Sequence, residues 1–245
     1  MLHKMFFAQN RDMYANLPAG CAVSTTIHPR WDESFSDAYY GTNNFNLSIY
    51  PGGVRGFTQL GESAYFWTST GASAGRTYSI QMNHEHNEMD IFDESNVVGM
   101  SIRLMTDYSG PLPDGSVAAN VFTDGSGFSY AGVVIGNQVW LTSNLITSKT
   151  YNGTDIPEVT NDADWLALTT RAWCWYNNTA SSYGKLYNAY AIINLTGTAP
   201  GDYRVPSRSD WETLRDYLSN TYDIITNATI ARYLKACRQV NHPLA

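Results

Sequence analysis

The densest group of side chains able to do chemistry is His84-Glu85-His86-Asn87-Glu88-Met89-Asp90. Alternate residues of a strand face the same way, so His84, His86 and Glu88 would share one side, a spacing able to hold a divalent metal. A polar, charge-rich run of this kind also suits the solvated tip of a hairpin, and that reading is preferred. No Asp-x-Asp-x-Asp-Gly loop marks calcium. Cofactors are therefore expected to be none, and no metal ligand is assigned.

Nucleophiles fare no better. The chain has no His-Glu-x-x-His, no phosphate loop and no dinucleotide fingerprint. Cys21, Cys174 and Cys237 form no Cys-x-x-Cys and are read as small buried hydrophobes rather than a disulfide framework. Carboxylates are too scattered to nominate an acid and base pair. No catalytic residue is expected, and the chain is read as not an enzyme.

Aromatic side chains offer a second kind of chemistry, because their faces present apolar area to the C–H groups of sugars. Trp67, Trp140 and Trp211 stand in regular, glycine-flanked runs and are assigned to the core. Trp31, Tyr39 and Tyr40 lie in a polar, turn-rich stretch with Asn43 and Asn44 and are the better surface candidates. The expected ligand-binding residues are Tyr39, Tyr40, Asn43 and Asn44 together with the polar turn Asn83, His84, His86 and Asn87.

Positioning such a surface takes a folded scaffold. The chain has 245 residues, 43% hydrophobic and only 15% charged, so it can bury a core and its surface must be largely neutral and polar. A net charge of −7 argues against a nucleic-acid partner, and no window approaches 18 consecutive apolar residues, so no membrane span is expected. Five Asn-x-Ser/Thr sites, beginning at Asn46, Asn152, Asn177, Asn194 and Asn227, are read as products of an Asn-rich background.

In the first half, residues 65–70, 77–82 and 97–104 read as strands, being aromatic, β-branched or alternating. Residues 108–129 carry Pro111, Pro113, Asp114-Gly115, Asp124-Gly125 and Gly127 and read as a surface linker. Residues 132–141 form two β-prone runs about Gly136-Asn137, a hairpin signal. Asp164 is the expected cap of a short helix that Thr169-Thr170 ends. Ser207 is the expected N-cap of a longer helix with Trp211, Leu214, Tyr217 and Leu218 on one face and Asp210 and Glu212 near its start. A further helix is expected over about 227–237, with Ile230, Tyr233, Leu234 and Cys237 on one side. Strands and helices in these proportions imply a mixed α+β domain whose core draws on both halves.

Several motifs in order, Val134-Ile135-Gly136-Asn137-Gln138-Val139-Trp140-Leu141, then Tyr183-Gly184-Lys185-Leu186-Tyr187-Asn188-Ala189-Tyr190-Ala191, then Arg204-Val205-Pro206-Ser207 with Trp211, resemble the Fibrobacter succinogenes major paralogous domain. Pro51-Gly52-Gly53-Val54-Arg55, Phe66-Trp67-Thr68-Ser69-Thr70 and Gly99-Met100-Ser101-Ile102-Arg103 resemble the far end of the same pattern, yet they come first in this chain. The resemblance implies an arm at 1–19, a part like the family's C-terminal half at 20–107, the linker at 108–129 and a part like its N-terminal half at 130–245. Circular permutation, the end and beginning of consecutive modules, and strand exchange between neighbouring chains all give this order; permutation is favoured because surface termini commonly lie close together.

The resemblance further implies a compact C-type-lectin-like fold with two helices, a small twisted antiparallel sheet and long loops. Function is then expected to be recognition or adhesion, with a host-surface receptor or glycan as partner and a homo-oligomer or neighbouring subunits around it. The family occurs in exported surface proteins of Bacteroidetes-type bacteria and in their phages. With no signal peptide, lipobox or sorting tail recognised, the expected setting is a virion fibre or decoration protein, extracellular or at the bacterial surface. A stacking module without a ligand is the alternative.

Overall fold

The structure is a computed structural model that describes residues 31, 41–56, 59–192, 202–222 and 228–236. Nine strands and three α-helices are described. Strands β1 (Ser63–Ser73), β2 (Arg76–Asn83) and β3 (Asp90–Ser95) form an antiparallel sheet in that order. Strands β4 (Met105–Asp107), β5 (Val117–Thr123), β6 (Ser129–Ile135) and β7 (Gln138–Leu141) form a second antiparallel sheet ordered β4-β7-β6-β5. Strands β8 (Trp173–Cys174) and β9 (Leu186–Tyr187) make a third, two-stranded one. The helices are α1 (Asp162–Leu166), α2 (Arg208–Thr221) and α3 (Ile230–Leu234). The architecture is α+β.

The hairpin expected at Gly136-Asn137 is β6–β7, with Ile135 opposite Gln138. The helix expected after Ser207 is α2: the Ser207 hydroxyl accepts from the Asp210 N–H while the Asp210 carboxylate accepts from the Ser207 N–H, a reciprocal cap satisfying two donors that the helix would otherwise leave open. Trp211, Leu214 and Leu218 are buried along its inner face. The cap of α1 is Asn161 rather than Asp164, because the Asn161 side chain accepts from the Asp164 N–H and Asp164 lies inside the first turn.

Three further expectations are corrected. Residues 97–104 do not form a strand in a ladder. Met100 exchanges backbone bonds with Tyr187, Ser101 bonds Tyr65 and Trp67, and the carbonyls of Ile102 and Leu104 accept from Leu145 and Leu141. The segment alternates polar and apolar residues, yet Met100, Ser101, Ile102, Arg103 and Leu104 are all buried, because it threads between sheets instead of lying on one. The stretch 108–129, read as a linker, contains β5, whose β-prone Val117 and Phe122 pair with Val133 and Tyr130 of β6 as an edge strand with an irregularity between Ala118 and Phe122. The C-terminal helix is the five-residue α3; its chain leaves the helix at Lys235 to pair in parallel with Ile49, whose N–H bonds Leu234 O while Ala236 N–H bonds Ile49 O. Asn227 and Cys237, expected within that helix, lie outside the described residues.

The core draws on both parts of the chain. Phe45, Leu47, Ile49, Phe66, Ile80 and Met82 pack with Val133, Trp140, Trp211, Leu214, Ile230 and Leu234 in one cluster. A second joins Trp67, Met100, Ile102 and Leu104 to Leu141, Tyr187 and Val205. Trp67, Trp140 and Trp211 are fully buried, with the Trp140 and Trp211 ring centroids 4.5 Å apart and Phe66 5.6 Å from Trp211. Trp31, expected at the surface, is buried, and its indole N–H donates to Ile49 O at 2.9 Å. Arg103 is also fully buried. It donates to the Asn144 side chain and to the carbonyls of Leu47, Ser48 and Leu141, which is how the interior tolerates its charge, although burial still lowers its pKa to about 9.

Candidate functional site

Those of the residues nominated for ligand binding that are described fall in two segments, 42–48 and 83–87, and each segment is hydrogen-bonded to α3. Lys235 is fully buried, with its ammonium donating to Asn83 O at 2.6 Å and His86 O at 2.8 Å, lying 3.5 Å from Asn87 Oδ1 and 5.0 Å from the Trp31 ring centroid. Asn87 O accepts from Ala231 N–H. The Asn83 side chain donates to Ser63 Oγ and accepts from Glu85 N–H. On the other side, the Asn43 side chain donates to Ser48 Oγ and accepts from Ser48 N–H, and Thr42 N–H bonds Arg232 O. These hydrogen bonds hold the loop 83–87 and the turn 42–48 to the helix. Asn44 is exposed, His84 and His86 are half-buried, and Tyr39 and Tyr40 lie outside the described residues.

The histidine cluster does not converge as a ligand set. His86 Nδ1 sits 3.0 Å from Glu88 Oε2 and 3.9 Å from Asp90 Oδ2. Among the described residues, no group of three His, Cys, Asp or Glu side chains is placed to hold a metal ion.

A serine and an amine do meet. Lys185 Nζ lies 2.7 Å from Ser148 Oγ, 3.4 Å from the Trp173 ring centroid and 5.3 Å from that of Trp175, and burial lowers its pKa to about 8. An amine near neutrality beside a hydroxyl could activate it. Lys185 is only 4% exposed, however, and lies under an indole face, so the pair bridges β9 to the 146–149 loop and the amine is enclosed.

The arrangement open to solvent lies elsewhere. A cleft of about 600 Å³ is lined by Tyr108, Leu112, Pro113, Asp114, Gly136, Asn137, Tyr217 and Tyr222. Three pieces of chain build it: the loop after β4, the β6–β7 turn, and the last turn of α2 with the residue that follows. Asp114 ties them together. Its Oδ1 accepts from Gly136 N–H at 2.7 Å, and its Oδ2 accepts from the Tyr222 hydroxyl at 2.7 Å and the Tyr217 hydroxyl at 3.0 Å. Burial and then the Asp114 carboxylate raise the pKa of both phenols, that of Tyr222 to about 12, so both stay protonated donors at neutral pH.

Gly136 sits at φ +58°, and a Cβ there would lie 2.9–3.0 Å from three atoms of the Tyr217 ring, so this ring rests directly on the turn backbone. Tyr108 is pinned from both ends, its N–H donating to Asn137 O and its hydroxyl accepting from Leu112 N–H. Sequence reasoning missed this site. Asp114 was absorbed into the apparent linker and Tyr217 into the apolar face of α2, and only the Asp114-Gly115 turn signal pointed to an ordered bend.

Residues 133–242 match the Fibrobacter succinogenes major domain. That interval carries the end of β6, then β7, β8, β9 and the three α-helices, including the hairpin turn and the helix end that furnish two walls of the cleft. No curated protein and no solved structure matches the chain.

Proposed function

We propose, from the domain match and the tyrosine-lined cleft, that this protein is a non-enzymatic recognition module of a bacterial or virion surface, binding a host-surface receptor or glycan. The cleft carries the reading. It is open, it holds aromatic rings against a fixed carboxylate, and its walls come from turns anchored on a buried core, the arrangement by which rigid scaffolds present binding loops.

Circular permutation of a C-type-lectin-like domain is the organisation we favour. The parallel pairing of Ile49 with Lys235 supports it, since it joins the residues just ahead of Pro51-Gly52-Gly53-Val54-Arg55, which resembles the family's far end, to the Leu234-Lys235 segment that precedes that end in the family's order. Mixed cores drawn from both halves of one chain support it as well.

One observation favours the alternative of a stacking module. Edge strand β5 exposes Val117 at 55%, close in sequence to Leu112 at 54% and Phe128 at 46%, and an exposed apolar edge is suited to another subunit. Titrating labelled protein onto host cells and glycan-coated beads, with sedimentation equilibrium alongside, separates the two. Saturable binding by a species of constant mass supports recognition. Concentration-dependent growth in mass without saturable binding overturns it in favour of stacking.

A further inference from the structure

We propose that the Tyr108–Tyr217–Tyr222 cleft selects saccharides that are neutral or amine-bearing and rejects acidic ones, an inference that rests on the recognition reading above. The Tyr217 and Tyr222 hydroxyl protons and the Gly136 N–H all point at Asp114, so the amide is spent and what the two phenol oxygens turn toward a ligand is lone pairs. Around Asp114 the cleft is therefore rich in acceptors and calls for a ligand that brings donors. A pyranose ring does so with its hydroxyls, and a glucosamine ring does so more strongly with its ammonium.

The charge balance points the same way. Among the described residues of the lining, Asp114 is the one that is charged, and none is Lys, Arg or His. Arg204, outside the lining, is already paired with Asp107 at 2.8 Å and Asp210 at 3.0 Å, so it is not free to neutralise an incoming carboxylate. An acidic sugar would meet Asp114 with no cation in the lining to compensate, and an ammonium would meet it as a counter-ion. The three phenol rings supply apolar area for the C–H face of a sugar. A volume of about 600 Å³ falls within the range of small-ligand sites, and the open mouth allows a longer chain to continue outward.

The test uses the full-length protein and three oligosaccharide series of equal length: glucosamine, glucose and galacturonic acid. Affinities are read by calorimetry at pH 6 and low salt. The expected order is glucosamine, then glucose, with galacturonate at least about tenfold weaker than glucosamine. Asp114→Asn removes the charge at constant shape and should compress that spread to within about threefold. Tyr222→Phe keeps the ring and removes one donor to Asp114, and should weaken all three series together.

Thermal melts of each variant separate loss of binding from loss of fold, and added salt, which should narrow the spread in the wild type, provides a readout that needs no variant. Galacturonate binding as well as or better than glucosamine overturns the proposal. So does saccharide binding that all cleft variants retain unchanged; recognition would then stand at another surface. If no series binds, the saccharide inference fails, and the cell-binding titration alone decides whether recognition survives.

Discussion

Burying the Lys235 ammonium makes stability depend on pH. Its pKa falls to about 7, chiefly through desolvation, whereas an unfolded lysine titrates near 10.5. Between these values the unfolded chain holds a proton that the folded chain has released, so stability attributable to Lys235 rises with pH from about 7 upward and reaches its full value near 10. Lys235→Met abolishes this dependence. The stability difference between wild type and variant, from urea unfolding at pH 7 and pH 9, should widen by about 2 kcal/mol in favour of the wild type. A difference that stays constant between the two pH values would show that the carbonyls of Asn83 and His86 keep the amine charged throughout. Nothing in the Leu234-Lys235-Ala236 string marks the lysine as buried, because its partners come from a loop about 150 positions earlier in the chain.

Among the elements, α2 combines the strongest local signal with a place in the cleft. Ser207 and Asp210 close its first turn, and its far end delivers Tyr217 toward Asp114. Ser207→Ala removes the acceptor for the Asp210 N–H and should cost about 1 kcal/mol, seen as a lower urea midpoint with an unchanged m value. Saccharide binding at saturating stability should be unaffected, because the cap and the cleft lie at opposite ends of the helix. This element was legible in sequence because both its cap and its 3.6-residue periodicity are local. Residues 97–104 were not: their alternation matched a strand, but a strand needs one continuous neighbour, and these backbone groups find several different ones. The β5 edge was hidden by the turn formers on either side of it.

At the scale of the whole molecule, the mixed core predicts one cooperative unit. Trp211, from the helix after Ser207, touches Trp140 of β7 and Phe66 of β1, so loosening either half removes contacts from the other. Unfolding followed by tryptophan fluorescence and by far-ultraviolet circular dichroism should give coincident single transitions. Trp211→Ala should lower stability by on the order of 3 to 5 kcal/mol and shift both signals together. Two separated transitions, with the variant moving only one, would mean that the halves fold independently.

Local information in the sequence was enough for the α+β class, the β6–β7 hairpin, α2 with its cap, and the burial of Trp67, Trp140 and Trp211, because turn chemistry, capping and hydrophobic period act over a few residues. Tertiary structure alone decided the rest. It carried Trp31 into the core, turned the nominated polar loop into a cap for Lys235, and gathered Asp114, Gly136, Tyr217 and Tyr222 from positions 22 to 108 residues apart into one cleft. The physical reason is common to all three. A polar side chain reads the same in sequence whether it faces water or satisfies a buried partner, and only the packed chain reveals which of its hydrogen bonds are already made.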